Sequence, residues 1–300
     1  MLLLTENINL QQISWKTTKC KLVQCTIARL DEIHPIISGN KLFKLKYNLA
    51  EAIAQKKGIL TMGGAFSNHL AATAYACKQK GIASIGLVRG EITEPLNTTL
   101  RFCVENEMQL ISIERKDFNN NSHLLQKIIQ EYANYYFVPE GGSNKDGEKG
   151  CAEILPAVTS LKTFSHIICA VGTGTTVRGI AATAMQHQTV VAIPVLKIPE
   201  SEQSLFLKNH LSITSSATIK TFFEFAGKGY AKKEEEIFLF MNQFYKQTKV
   251  PLDFVYTAKL LMAVSNLFDT SYFSDTNEIL VLHTGGLQGN KSLAENVLHY

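Results

Sequence analysis

Short apolar runs alternate with longer amphipathic stretches through the middle of the chain. Ile59-Leu60-Thr61-Met62 has strand length and runs into Gly63-Gly64. Asn68 to Lys80 follows, Ala-rich and helical, with Gly81 as its stop. The alternation continues with strand Ile82 to Val88, helix Pro95 to Glu107, strand Gln109 to Ile113, helix Ser122 to Tyr132 and strand Tyr135 to Val138. Beyond Pro139-Glu140-Gly141-Gly142 it predicts helix Gly147 to Val158, strand His166 to Val171, helix Thr175 to Met185 and strand Thr189 to Ile193. Strands joined through helices must pair in parallel, with helices covering the sheet faces. Periodicity leaves open whether there is one sheet or two.

Composition narrows the class. Hydrophobic residues are 45% and charged residues 19%, as in ordinary soluble globular proteins. Lys plus Arg is 30 and Asp plus Glu 26, a net charge of +4 with no basic tract, so no nucleic-acid partner is expected. Lys232-Lys233-Glu234-Glu235-Glu236 reads as a solvated helix start, and Asn119-Asn120-Asn121 as a loop. Six cysteines, at 20, 25, 77, 103, 151 and 169, form no C-x-x-C pair and no zinc-like cluster with His. No metal is expected, and reduced cysteines suit a cytoplasmic protein. Met1 to Leu4 is apolar but too short for a secretory leader, and no run approaches membrane-spanning length.

Candidate chemistry lies where strands meet helix starts, the usual ligand edge of an open α/β sheet. Gly39-Asn40-Lys41 opens a helix whose apolar stripe is Leu42, Leu45, Leu49, Ala52 and Ile53. On the helical wheel Lys44 points away from that stripe, while Lys41 and Lys46 both flank it. Position separates those two: Lys41 sits in the first turn, where the helix dipole favours its neutral amine and hence imine formation. In Gly63-Gly64-Ala65-Phe66-Ser67-Asn68-His69, Ser67 or Asn68 caps a helix whose first N–H groups could also hold a carboxylate. His69 is as readily structural as functional. Gly172-Thr173-Gly174-Thr175-Thr176 follows a strand and reads as a phosphate cradle or as a plain glycine turn. It is no P-loop, and Val177 stands where a dinucleotide fingerprint needs its third glycine, which disfavours a nicotinamide dehydrogenase. Ile279 to Gly286 is a buried strand opening into Gly285-Gly286, and Val255-Tyr256-Thr257-Ala258-Lys259 puts a phenol at a loop–helix junction.

Five of these segments together resemble one family. They are G-N-K-x-x-K-L at 39–45, G-G-x-x-S-N-H at 63–69, E-G-G-S-N at 140–144, G-T-G-T-T at 172–176 and H-T-G-G at 283–286. In this order they resemble the pyridoxal-phosphate enzymes of the tryptophan-synthase-β fold type, in the branch of 1-aminocyclopropane-1-carboxylate deaminase and D-cysteine desulfhydrase. The resemblance implies an α/β protein of two domains, each an open, mostly parallel sheet covered by helices. Residues 1–52 with 158–300 would form the large cofactor-binding domain, and 53–157 the small one.

The resemblance further implies that Lys41 is the Schiff-base lysine, that Gly172, Thr173, Gly174, Thr175 and Thr176 bind the phosphate, that Asn68 contacts the ring oxygen and that Thr284 meets the pyridine nitrogen. Ser67, Asn68, His69, Tyr256 and Tyr230 would face a small amino-acid substrate, with Lys41, Ser67 and Tyr256 catalytic and Tyr230 the second active-site tyrosine. Cyclopropane deaminases resemble Y-E-G-K where this chain has Tyr256-Thr257-Ala258-Lys259, and carry Leu where it has Thr284. Both positions here are Thr, which points to β-elimination of the D-cysteine desulfhydrase kind. The alternatives are cyclopropane ring opening, deamination of another small amino acid, or a non-catalytic cofactor carrier. Two departures from the family pattern are Ala258 in place of a glycine and a short stretch between Val195 and Tyr230. A homodimer is expected by the same analogy.

Overall fold

The structure is a computed structural model that describes residues 8–119 and 122–300. Met1 to Leu4, Asn120 and Asn121 lie outside the described residues; Asn119 is exposed. In chain order come β1 (Leu10–Lys16), β2 (Leu22–Arg29), α1 (Asn40–Ala54), β3 (Gly58–Gly64), α2 (Asn68–Lys80), β4 (Ser84–Arg89), α3 (Thr98–Glu105), β5 (Met108–Ile113), α4 (His123–Glu131) and β6 (Tyr135–Val138). Then follow α5 (Lys145–Cys151), β7 (His166–Val171), α6 (Thr175–Thr183), β8 (Thr189–Pro194), α7 (Glu200–His210), β9 (Thr218–Thr221), α8 (Glu235–Thr248), α9 (Thr257–Asp269) and β10 (Ile279–His283).

The chain divides into two compact units. The first takes the described residues up to 40 together with 151–300. Its sheet has the order β1-β2-β10-β7-β8-β9. β1 pairs antiparallel with β2, and the remaining neighbours are parallel. The inner strands β10, β7 and β8 are buried almost throughout, as parallel strands covered on both faces require. Trp15 anchors one face of the core: its indole N–H donates to Ser265 Oγ at 3.0 Å, and its ring meets Phe244 and Phe268 edge-on. α9 buries Leu260, Leu261, Ala263 and Val264 against the same core. Burying such aliphatic chains supplies about 1.5–3 kcal/mol for each large one.

The second unit takes residues 41–150, with an all-parallel sheet of order β5-β4-β3-β6. α2 starts where Ser67 Oγ accepts from the Leu70 N–H at 3.3 Å and stops at Gly81, whose φ of 64° is left-handed. Leu70, Ala71 and Ala74 of α2 pack with Val88, Leu100 and Met108.

α1 after Asn40 groups with the second unit, whereas the sequence reading keeps residues through 52 with the first. The reason is local packing. Gly150 of α5 lies directly on the Phe43 carbonyl, where a Cβ would clash. Lys44 Nζ donates to the Gly141 carbonyl at 2.9 Å, and Asn48 and Asn144 exchange side-chain amide hydrogen bonds. Cys151, by contrast, packs on Gly179 of the first unit.

Several predicted elements differ. Lys44 does not face solvent: it is 4% exposed, while Ile53 of the expected stripe is 44% exposed. α5 ends at Cys151 instead of reaching Val158, and Pro156 sits in a separate single turn at Leu155–Ala157, where its missing N–H costs nothing. α3 begins at Thr98 rather than Pro95, because Asn97 Oδ1 accepts from the Thr99 and Leu100 N–H groups. α6 stops at Thr183, two residues short, since Ala184 turns extended.

Candidate active site

In the first unit, β2, β10 and β7 lie side by side, so the turns after them share one carboxyl edge. The turn after β2 ends at Gly39, whose φ is 68° and whose Cβ position is filled by the Thr284 carbonyl and the Gly285 nitrogen. Asn40 donates its backbone N–H to the Thr284 carbonyl at 3.2 Å and its side-chain amide to Thr176 Oγ1 at 2.8 Å. The start of α1, the turn after β10 and the turn after β7 are thereby tied together. Lys41 is the next residue in the chain.

The turn after β7 leads into α6 through Gly174, which caps the helix at φ 81° and has no side chain to offer its first N–H groups. Those donors are left for an anion. A Cβ on Gly174 would strike the His210 carbonyl, which also accepts from Arg178 at 2.9 Å. Thr173 and Thr175 hydroxyls are 3.0 Å apart. Thr175 and Thr176 are buried, as is Thr284 at the neighbouring strand end.

Tyr256 stands over this turn: its ring carbon and hydroxyl lie 3.2 and 3.4 Å from where a Gly172 Cβ would be. Its placement comes from Asp253, which is 1% exposed. Asp253 accepts from the N–H groups of Val255, Tyr256 and Thr257 and from the Thr257 hydroxyl, at 2.7–2.9 Å. The Tyr256 hydroxyl donates to that of Tyr230 at 3.2 Å, with the two rings edge-to-face. Ala258, in place of the family glycine, is fully buried and donates its N–H to the Asp253 carbonyl.

Below the β10 turn, His283 is fully buried. Nε2 donates to the Pro251 carbonyl at 2.7 Å, and Nδ1 lies 3.2 Å from Asp31, itself paired with Arg29 at 2.7 Å.

In the second unit, Lys41 occupies the first turn of α1 and is half-buried, while the Lys46 ammonium lies over the Tyr47 ring. Ser67 and Asn68 open α2, both half-buried. His69 is 2% exposed. Thr61 Oγ1 donates to the Val138 carbonyl at 2.8 Å, so at 2.9 Å it accepts from His69 Nε2, which must carry the proton. His69 Nδ1 has no hydrogen-bond partner among the described residues. Burial pushes the His69 pKa well below 6.5, and the Lys41 and Lys44 charges push it further, so the imidazole is neutral.

The structure thus gathers Gly172 to Thr176, Thr284, Tyr256 and Tyr230 in the first unit, and Lys41, Ser67, Asn68 and His69 in the second. Sequence reasoning missed Asn40, Lys44, Asn48, Asn144 and Asp253. Four of these left a signal: Asn40 and Lys44 belong to the quoted G-N-K-x-x-K-L motif, Asn144 to E-G-G-S-N, and Asp253-Phe254-Val255-Tyr256-Thr257 has the spacing of an Asp-capped helix start. Among the described residues no cluster of His, Cys, Asp or Glu could hold a metal ion, and no helix is long and apolar enough to cross a membrane.

The family model for pyridoxal-phosphate dependent enzymes matches residues 7–285. The chain belongs to this family. It is 29% identical over 282 residues to a putative 1-aminocyclopropane-1-carboxylate deaminase of Thermotoga maritima, covering 88% of each chain. It is 30% identical over 284 residues to the mitochondrial bifunctional D-cysteine desulfhydrase/1-aminocyclopropane-1-carboxylate deaminase of Arabidopsis thaliana, covering 84% of this chain and 70% of that one. In fold it matches a crystal structure described as an ACC deaminase homologue, with a TM-score of 0.77, 23% identity and coverage of 96% and 92%. The family's cofactor, pyridoxal phosphate, carries a phosphate that the first unit's donor set fits: α6 opens at Gly174, where a Cβ would strike the His210 carbonyl, with its first N–H groups at the strand edge.

Proposed function

We propose that this enzyme carries out β-elimination on a small thiol amino acid, with D-cysteine the first candidate. One molecule of water is consumed, and pyruvate, ammonia and hydrogen sulfide are released. The observation that carries this reading is at Thr257. Its hydroxyl is fully buried and returned to Asp253, so no carboxylic acid follows Tyr256 to assist ring opening. That relatives bear both names supports the reaction class.

When bound, pyridoxal phosphate supplies an electron-withdrawing ring that stabilises negative charge at the substrate Cα. In this reading Lys41 would hold the cofactor through its amine, and the same amine would serve as the base for the substrate Cα proton. Gly172 to Thr176 bind the phosphate, Thr284 meets the ring nitrogen and Asn68 the ring oxygen. A neutral hydroxyl at Thr284 leaves that nitrogen without a strong proton donor, which favours quick loss of a β-leaving group. Ser67 and Asn68 take the substrate carboxylate at the α2 start, and His69, committed to Thr61, supports them from behind. Tyr256 assists the departing thiol, with Tyr230 beside it. The first unit serves as the large, cofactor-binding domain, and the family resemblance supports a cytoplasmic homodimer, which sedimentation tests.

The deciding experiment is the visible spectrum of the purified protein before and after D-cysteine, with pyruvate measured in parallel. A shifted band with pyruvate accumulating, both absent in Lys41→Ala, is the expected result. A loaded protein that leaves D-cysteine intact overturns the substrate assignment. Ammonia release from 1-aminocyclopropane-1-carboxylate in its place would move the assignment to ring opening.

A further inference from the structure

Lys259 is a buried cation that the proposed reaction does not use. It lies in the first turn of α9, three residues after Tyr256, and is 2% exposed. Its ammonium donates to the Ala226 carbonyl at 2.7 Å and the Gly229 carbonyl at 2.5 Å. A buried ammonium is tolerated only where oxygens replace its water. Here those oxygens come from one short loop, whose carbonyls converge inward on a compact point charge.

The loop is shaped around this contact. Gly227 has φ 59° and Gly229 φ 111°, and Gly229 N–H donates to the Ala226 carbonyl at 3.1 Å. On its outer side Glu234 Oε1 accepts from the Lys228 N–H at 2.9 Å and fills the space beside Gly227. Glu234 also contributes an attractive charge to Lys259, against the burial that lowers the lysine's pKa. The residue that leaves the loop is Tyr230, 42% exposed, its hydroxyl 3.2 Å from that of Tyr256. Both ends of this tyrosine pair therefore start from one helix turn: Tyr256 through Asp253, and Tyr230 through the loop that Lys259 gathers.

We propose that Lys259 is a positioning residue, a built-in cation whose coordination by the Ala226 and Gly229 carbonyls sets Tyr230 against Tyr256 and so fixes the spacing of the two hydroxyls presented to substrate. The substrate-facing role of the pair rests on the proposed function; the organisation of the loop does not.

Lys259→Met keeps an unbranched side chain, one atom shorter, and removes the charge. The test is a double-variant cycle in the holoenzyme with Tyr230→Phe, reading kcat/KM for D-cysteine, together with amide hydrogen exchange over residues 226–230. Lys259→Met is expected to lower kcat/KM about tenfold or more, and the double variant to be little worse than either single one, as for residues acting as a unit. Exchange in the loop should quicken while the visible band of bound cofactor is unchanged. Additive losses, or wild-type exchange in the loop, overturn the proposal. Should Lys259→Met fail to fold, Gly229→Ala displaces the loop with Lys259 intact: a loss non-additive with Tyr230→Phe supports the proposal, and full activity overturns it. A wild-type enzyme inert to D-cysteine refutes the function reading instead, and loop exchange then decides this inference alone.

Discussion

A side chain's chemistry here follows from what its neighbours accept. Lys44 is the clearest case. A helical wheel puts it opposite the apolar stripe, yet it is buried because the Gly141 carbonyl, nearly a hundred residues later in the chain, takes its ammonium. No local pattern carries that information. His69 shows the converse, since its place in the motif was legible but its protonation state was not. Its Nε2–H is fixed by Thr61, and burial holds its pKa well below 6.5. Below pH 6.5 the unfolded chain therefore binds a proton that the folded chain refuses. Stability from this group is fully present above that pH and falls as pH drops below it, by up to about 1.4 kcal/mol per pH unit. His69→Gln keeps a donor for Thr61 and removes the titration. Urea denaturation at pH 5 and pH 7.5 should show a smaller pH difference for the variant, and equal differences would mean that His69 is not the buried neutral base described.

At the scale of elements, legibility tracked capping. α2 matches its predicted span, Asn68 to Lys80, because Ser67 and Gly81 state both ends in the sequence. β6 and β7 also match, each bounded by turn residues. Elements whose ends depend on distant partners were not legible. β1 and β2 form an antiparallel hairpin with no helix between them, so they lack the strand–helix rhythm that revealed the rest; β9, which follows α7 and closes the far edge of the sheet, is only four residues long and half exposed, with no apolar run to mark it. α9 belongs to a third kind, an element whose start is set by one acid. Asp253 serves three backbone N–H groups and a hydroxyl in a site that is 1% exposed. Asp253→Ala leaves those donors buried and unmet, at a cost of about 3 kcal/mol, between the loss of a good cap and that of several buried hydrogen bonds. Equilibrium urea unfolding measures it. A loss under about 0.5 kcal/mol would show that water or a shifted backbone replaces the carboxylate.

At the scale of the molecule, two sheets with separate cores explain why five short motifs, spread over most of the chain, could name the family when periodicity could not count the sheets. Motifs mark strand ends, and strand ends are where a parallel sheet exposes helix N-termini. The anion site proposed after β7 belongs to the first unit alone, which gives it a local signature. Inorganic phosphate added to apoprotein should slow amide exchange in α6 and at the end of β7, and leave α4 and β5 of the second unit unaffected. At a hundredfold excess over its Kd, phosphate should add about 2.7 kcal/mol to the stability of the unit that binds it. Gly174→Ala puts a Cβ against the His210 carbonyl at a φ of 81°, so it should abolish this protection and weaken cofactor retention together. Protection that survives in Gly174→Ala would place the anion elsewhere. Protection spread equally over both units would mean that phosphate acts as a general stabilising salt, and that the glycine turn after β7 is only a turn.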